Sequence, residues 1–264
     1  MPDTAQRVAA FRAERDALLA LCRELTTGEW QAPSQASGWR VQDVIAHIAG
    51  ESHMLFQPLA IRAMRSRDIE RFNDECVAAR HDRAPADVLA EYEKWTRRLA
   101  SAMTVLGRPP LGAIPLRIGE LGWYPGRMLM SAYTFDVHTH LRYDIAPALG
   151  RSVPDADGAS VAVINEWLLA LLAKTGPGRR AEFDRPIGLT LTGAGGGSWL
   201  LQRGRRGRVE IVARAADAGT PQVTSPARDL PAWSTTRTSW RDHDLTLAGD
   251  ADYLERFLDA VNLV

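Results

Sequence analysis

Three side chains of metal-ligand type have spacings that could place them together. Asp136 and His140 are four residues apart, so on a helix both project from one face, whereas His138 lies about 200° around the axis from either. His47 lies among branched apolar residues in a second helical pattern, where a buried imidazole needs a polar partner. Antiparallel packing of the two helices would bring His47, Asp136 and His140 together and leave positions for water or a substrate.

Each of these candidates also has an ordinary structural interpretation. An Asp–His pair at this spacing is typical of a hydrogen bond on a helix surface, and a core histidine is often satisfied by a carbonyl group. Asp43 lies four residues before His47 and Glu51 four residues after it, one helical turn away in each direction. Either carboxylate could accept a hydrogen bond from the second ring nitrogen of His47 or remain solvated. Cys22 and Cys76 lack neighbours that would favour a thiolate, so we expect both to be buried and inert.

Composition excludes several classes of protein. The 264 residues are 45% hydrophobic and 24% charged, which is typical of a folded globular chain. The 32 basic residues balance 32 acidic ones, so we expect no nucleic-acid partner. No apolar run is long enough for a membrane span, the N-terminus has no signal-peptide pattern, and two cysteines make no disulfide framework. We therefore expect a cytoplasmic protein with no membrane partner.

Apolar residues at helical spacing predict four long helices in the first part of the chain. These run from Thr4 to Leu25, from Arg40 towards Arg67 with a bend at Pro58, from Pro85 to Leu106, and from Met128 to Ile145. The second and fourth helices carry the metal-ligand candidates, so a bundle of the four would position them. The segment from Leu106 to Gly126 is rich in proline and glycine, and we expect an irregular covering loop there.

The last third of the chain has a different pattern. A helix is predicted from Ala159 to Lys174, and the sequence TGPGRR that follows it is a breaker, so we place a domain boundary between residues 178 and 179. Alternating apolar residues then predict strands at 187–191, 199–201 and 209–213, before a short strand and a closing helix. The second domain is therefore predicted to be α+β.

Two segments resemble the signatures of one known family. The segment from Glu29 to Glu51 reads EWQAPSQASGWRVQDVIAHIAGE, with Trp, Pro, Gly-Trp, a helix start and a His in that order. The segment from Tyr133 to Ile145 reads YTFDVHTHLRYDI, with an acidic residue four positions before a His. Both resemble the DinB-like, mycothiol-dependent maleylpyruvate isomerase family. The tail from Thr235 to Leu258 resembles the end of the smaller domain of that family.

The resemblance implies an α+β protein with its metal site in the first domain. Residues 1–178 would form a DinB-like four-helix bundle, and residues 179–264 a smaller α/β domain resembling sterol carrier proteins. His47, Asp136 and His140 fall on the metal ligands of the family, although the family usually has Glu where this chain has Asp136.

Two further site residues differ in how well they match the family. Asp144 follows His140 by four residues, whereas the family usually places its Asp three residues after the ligand His. Arg237 falls in the tail segment from which the family directs an arginine at the active site, and Arg241 is the alternative. The resemblance thus implies Arg237 as the catalytic arginine that binds a substrate carboxylate.

The implied function is that of a metal-dependent enzyme that uses a low-molecular-weight thiol such as mycothiol. A divalent metal, most naturally Zn²⁺ for nitrogen and oxygen ligands, would serve isomerisation or S-transfer on a small unsaturated or electrophilic substrate. One alternative is a non-catalytic small-molecule or lipid-binding protein whose metal is structural or absent. Another is a regulatory module that senses a metal or a thiol.

Overall fold

A computed structural model of the chain describes residues 1–66, 68–175, 183–204 and 208–263. Two compact units are formed by Asp3–Asp155 and by Ala156–Val264 with Met1–Pro2. The boundary predicted between residues 178 and 179 lies outside the described residues. The units divide before the helix Gly158–Thr175, because that helix packs against the strand Val209–Val212 and the helix Leu230–Ser234 of the C-terminal unit.

The first unit is mainly helical. Its helices are α1 (Thr4–Glu24), α2 (Thr27–Gln31), α3 (Val41–Met54), α4 (Leu59–Arg65), α5 (Ile69–Ala78), α6 (Pro85–Leu106) and α7 (Leu129–Thr139). Asp3 begins α1 with a reciprocal capping box to Gln6, and Pro85 occupies the first turn of α6, where a missing N–H costs nothing. The predicted second helix is divided into α3 and α4, with Pro58 between them.

Four helices share the main core of this unit. Helix α3 packs against α6, and α1 packs against both α6 and α7. Fully buried side chains from all four helices meet there, among them Phe11, Val44, Tyr92 and Val137. The four long helices predicted from the periodicity are therefore present, and α3 and α7 carry the metal-ligand candidates on core-facing turns.

Two stretches of the first unit differ from the predicted elements. The segment expected to be irregular contains an antiparallel hairpin of β1 (Pro115–Ile118) and β2 (Gly122–Pro125), so that prediction is wrong in part. Gly119 and Gly122 have φ values of +47° and +101°, which favour glycine and reverse the chain there. Helix α7 stops at Thr139 and continues as a π-helical segment over His140–Ile145, whereas one continuous helix was expected.

The second unit combines helices with a five-stranded sheet. It comprises α8 (Gly158–Thr175), β3 (Ile187–Thr192), β4 (Gly197–Arg203), β5 (Val209–Val212), β6 (Gln222–Pro226), α9 (Leu230–Ser234), β7 (Thr246–Ala248) and α10 (Ala251–Asp259). The strand order is β5-β4-β3-β6-β7, with β3 and β6 parallel and the other pairs antiparallel. The chain is thus a helix-rich α+β protein with a C-terminal sheet domain. Its resemblance to sterol carrier proteins stays a prediction.

Helices long and apolar enough to cross a bilayer are absent from the part of the chain that the structure describes.

Candidate metal centre

The three predicted ligand side chains lie together in the first unit. One ligand atom from each of His47, Asp136 and His140 lies within 4.8 Å of the other two, and no other group of three such residues occurs among the described parts of the chain. Asp136 Oδ1 is 3.8 Å from His47 Nε2 and 3.4 Å from His140 Nε2. Helix α3 contributes one histidine, while α7 and the π-helical segment contribute the other two residues.

The polar atoms of this cluster fit a cation. Asp136 Oδ2 is buried and has no hydrogen-bond partner, which is costly unless another group satisfies it, and His47 Nε2 faces the same carboxylate. Two imidazoles and one carboxylate are a donor set suited to Zn²⁺ and to other first-row divalent metals. The Asp136 side chain is 25% exposed, against 4% for His47 and 11% for His140, so solvent reaches the cluster at the carboxylate.

Asp144 orients His140 towards the other two residues. Its Oδ2 lies 2.7 Å from His140 Nδ1, and the carboxyl is buried. A proton on Nδ1 can be donated to this carboxylate, which leaves Nε2 as the nitrogen that faces Asp136. The four-residue spacing that departs from the family pattern therefore still gives a carboxylate–histidine contact.

Charge within the cluster controls its protonation. Burial lowers the pKa of His140, but Asp136 and Asp144 outweigh that effect and raise it to about 9. Burial also opposes a charged His47, yet the carboxylates of Glu51 and Asp136 hold its pKa above the ordinary value. Burial alone would raise the pKa of Asp136, but both histidines hold it well below its usual range. A cation would therefore compete with protons for these ligands.

The two acidic residues that flank His47 have different environments. Asp43 is buried and accepts hydrogen bonds from Arg40, including one of 2.8 Å from Nε, so it is neither solvated nor placed as the partner of His47. Glu51 is half-buried. Burial raises the pKa of Glu51 to about 7 against the opposing charge of His47, and the carboxylate of Asp136 acts in the same direction as burial. Glu51 therefore belongs to the electrostatic surroundings of the cluster.

Trp39 covers the histidine side of the cluster. Its ring centroid is 5.0 Å from that of His47 and 6.3 Å from that of His140. The two imidazoles are 5.3 Å apart and nearly perpendicular, with an interplanar angle of 80°. The sequence analysis did not predict that Trp39 packs against the candidate ligands. The Gly-Trp pair that precedes α3 was the available signal.

Other chemistry-bearing residues lie outside the cluster. His138 faces α1, where its Nδ1 is 3.4 Å from Glu14 Oε2, in agreement with its predicted angle around α7. Cys22 and Cys76 are both buried. Burial raises the pKa of the Cys22 thiol to about 12, which keeps it protonated as expected for an inert cysteine.

The candidate arginines lie in the second unit. Arg237 is half-buried, and its backbone N–H donates to the carbonyl of Ala232 at 3.1 Å. The residue before it, Thr236, has a φ of +56°, a conformation that non-glycine residues seldom adopt. Arg241 is paired with the exposed carboxylates of Asp259 and Glu255. The role of Arg237 towards a substrate stays a prediction.

The fold and the cluster define a helix-rich protein with a candidate His–Asp–His metal centre. Residues 11–146 match the family described as the mycothiol maleylpyruvate isomerase N-terminal domain. Because this match covers more than half of the 264 residues, the chain belongs to that family, and the resemblance seen in the sequence is confirmed.

Two solved structures share the fold. They are crystal structures of the mycothiol-dependent maleylpyruvate isomerase and of a histidine-to-alanine mutant of it, each with a TM-score of 0.56. The sequence identities are 15% and 14%, and each comparison covers 94% of this chain and 93% of the other. At this level of identity the likeness is one of fold. No curated protein matches the sequence at a significant level.

Proposed function

We propose that the protein is a metal-dependent enzyme that uses mycothiol, or a similar small thiol, to isomerise a small unsaturated acid. The observation that carries this proposal is the cluster of His47, Asp136 and His140, in which a buried carboxylate oxygen of Asp136 lacks a protein partner and solvent reaches the side chain of that residue. Membership of the mycothiol maleylpyruvate isomerase family supports the same thiol and the same reaction class.

In this proposal each residue of the cluster has a distinct task. His47 and His140 would hold the metal through nitrogen and Asp136 through oxygen, while Asp144 fixes the tautomer of His140. A divalent cation held there, Zn²⁺ being the natural choice, would stabilise a thiolate at neutral pH. Three protein ligands leave positions open for exchange, as a catalytic site requires.

The reaction follows from thiolate chemistry. The thiolate adds to a conjugated cis double bond, forming a carbon–sulfur bond and moving the π electrons towards the carbonyl oxygen. The former double bond can then rotate as a single bond. Expulsion of the thiolate restores the double bond in the trans form, so the thiol is regenerated and no oxidant is consumed. If the enolate adduct takes up a proton at carbon and is released instead, the addition step alone amounts to S-transfer.

The alternative of an apolar-ligand carrier has less support. In the described part of the second unit, apolar side chains such as Leu168, Leu189 and Phe257 line a cavity of about 10 Å³. That volume accommodates about one water molecule, whereas pockets for small organic ligands measure some hundreds of Å³. The cytoplasmic location and the choice between isomerisation and S-transfer stay predictions.

The proposed activity is tested by product analysis. Purified protein loaded with Zn²⁺ should convert a cis-configured unsaturated keto diacid to its trans isomer when mycothiol is present. Omission of the thiol, or removal of the metal with a chelator, should abolish the conversion, and re-addition should restore it. Conversion that continues without metal would overturn the metal-dependent mechanism.

Arg237 provides a variant for the same assay. Arg237→Ala should raise KM for the diacid about tenfold or more, because a guanidinium can pair with a carboxylate through two hydrogen bonds. Arg237→Lys should recover part of the loss, since it keeps the charge without the fork geometry. Metal content should match that of the wild type in both variants. An unchanged KM in Arg237→Ala would remove Arg237 from substrate binding.

A further inference from the structure

Trp39 and Asp74 form a connection between the candidate metal centre and helix α5. The Trp39 ring lies against both imidazoles of the cluster, with centroid distances of 5.0 Å to His47 and 6.3 Å to His140. Its indole Nε1–H donates to Asp74 Oδ1 at 3.1 Å. Residue 39 precedes α3 and residue 74 belongs to α5, so this hydrogen bond joins two segments that are 35 residues apart.

The position of the indole determines which side of the cluster water can reach. The two histidine side chains are nearly buried, whereas Asp136 is 25% exposed. An apolar ring against the imidazoles excludes water from their outer faces and restricts rotation of both rings. Metal affinity depends on such restraint, because freely rotating ligands lose more entropy when they bind a cation.

We propose that Trp39 is a positioning residue of the metal centre and that Asp74 holds it in place, which makes α5 part of the site. The inference rests on the proposed metal site, and it assigns a task to two residues outside the ligand set. Trp39 packs against the ligand imidazoles, and Asp74 fixes the indole by accepting its single N–H. Water and ligands are thereby directed to the Asp136 side.

Paired variants separate the contribution of the ring from that of its hydrogen bond. Trp39→Leu removes the aromatic face, and Trp39→Phe retains one without the Nε1–H. Asp74→Ala removes the acceptor, whereas Asp74→Asn keeps an oxygen at the same position. Glu75→Ala is the matched control, because it removes an exposed carboxylate from the next position of α5. Asp74 is also exposed, so its replacement leaves the core packing intact.

The first measurement is the rate at which an excess of chelator removes Zn²⁺ from the loaded protein. We expect release to be about tenfold faster or more in Trp39→Leu, since residues that support metal ligands commonly have effects of this size. Asp74→Ala should accelerate release about fivefold, in line with the loss of one hydrogen bond of about 1 kcal/mol that fixes the indole. Asp74→Asn and Glu75→Ala should match the wild type. Equal rates in the wild type, Trp39→Leu and Asp74→Ala would overturn the proposal.

The second measurement needs no metal and separates this inference from the proposed function. In the proton NMR spectrum the ring Hε1 signals of His47 and His140 should be shifted by the ring current of Trp39. Trp39→Leu should remove that shift and leave His81 and His243 unchanged. Asp74→Ala should reduce it and Asp74→Asn should keep it.

If the wild type bound no metal but these shifts changed as expected, the proposed metal site would be wrong and the proposed Trp39–Asp74 arrangement would still hold. Histidine shifts that are the same in Asp74→Ala and the wild type would show that Asp74 does not hold the indole in place.

Discussion

Replacement of His47 with alanine is expected to remove nearly all tightly bound metal from the protein. Wild-type protein should carry about one divalent ion per chain, because the cluster has three ligands and belongs to a single site. Loss of one imidazole from three ligands should weaken binding by about a hundredfold or more, since structural zinc sites with four ligands bind with roughly 10–16 kcal/mol in total. Elemental analysis after dialysis against a weak chelator measures the difference.

The control for this experiment is His81→Ala. His81 is a histidine of the same unit whose side chain is 53% exposed, so its removal tests for nonspecific binding of metal by imidazole. Metal content should be the same in His81→Ala and the wild type. Equal metal content in His47→Ala and the wild type, with thermal stability also unchanged, would exclude His47 from the ligand set.

The acidic ligand gives the second large effect. Asp136→Ala should lose most of the metal, because it removes the only carboxylate among the three ligand residues and with it the anionic charge that lies between the two imidazoles. Asp136→Glu should retain it, since glutamate keeps a carboxylate oxygen that can ligate a cation. Titration of metal-free protein with Zn²⁺ against a competing chromophoric chelator gives both affinities in one experiment.

The pair Asp136→Glu and Asp136→Ala is a matched comparison at one position. A difference of about a hundredfold or more in dissociation constant between the two variants is the expected result. If Asp136→Ala bound Zn²⁺ with the affinity of the wild type, the acidic ligand would have to be another residue. Glu51, which lies in the electrostatic surroundings of the cluster, would then be the first candidate.

Regular periodicity explains which elements were predictable. Helices α1, α6 and α8 have long amphipathic or apolar patterns, and Pro58 marks the bend after α3 because proline interrupts helical hydrogen bonding. The strand β6 was not predicted, since its five residues, QVTSP, are short and half polar, and its parallel pairing with β3 depends on a distant segment. The hairpin of β1 and β2 depends on two glycine conformations within a segment whose composition is typical of loops.

The candidate site was predictable only where helical geometry relates the residues. The four-residue spacing places Asp136 and His140 on one face, and the structure brings His47 to them from α3. The roles of Trp39 and Asp144 could not be derived in the same way. Trp39 lies in a loop whose path depends on tertiary packing, and the contact of Asp144 with His140 occurs in a π-helical segment that the periodicity did not reveal.

The most direct test of the central claim, that a metal held by this cluster binds a thiol, is the absorption spectrum of the cobalt-substituted protein. Titration with mycothiol should produce a sulfur-to-cobalt charge-transfer band that saturates at about one thiol per metal. The band should be absent from His47→Ala treated with the same amount of cobalt. Cobalt that is bound at the cluster but whose spectrum does not change with mycothiol, or with any simpler thiol, would contradict the proposed function.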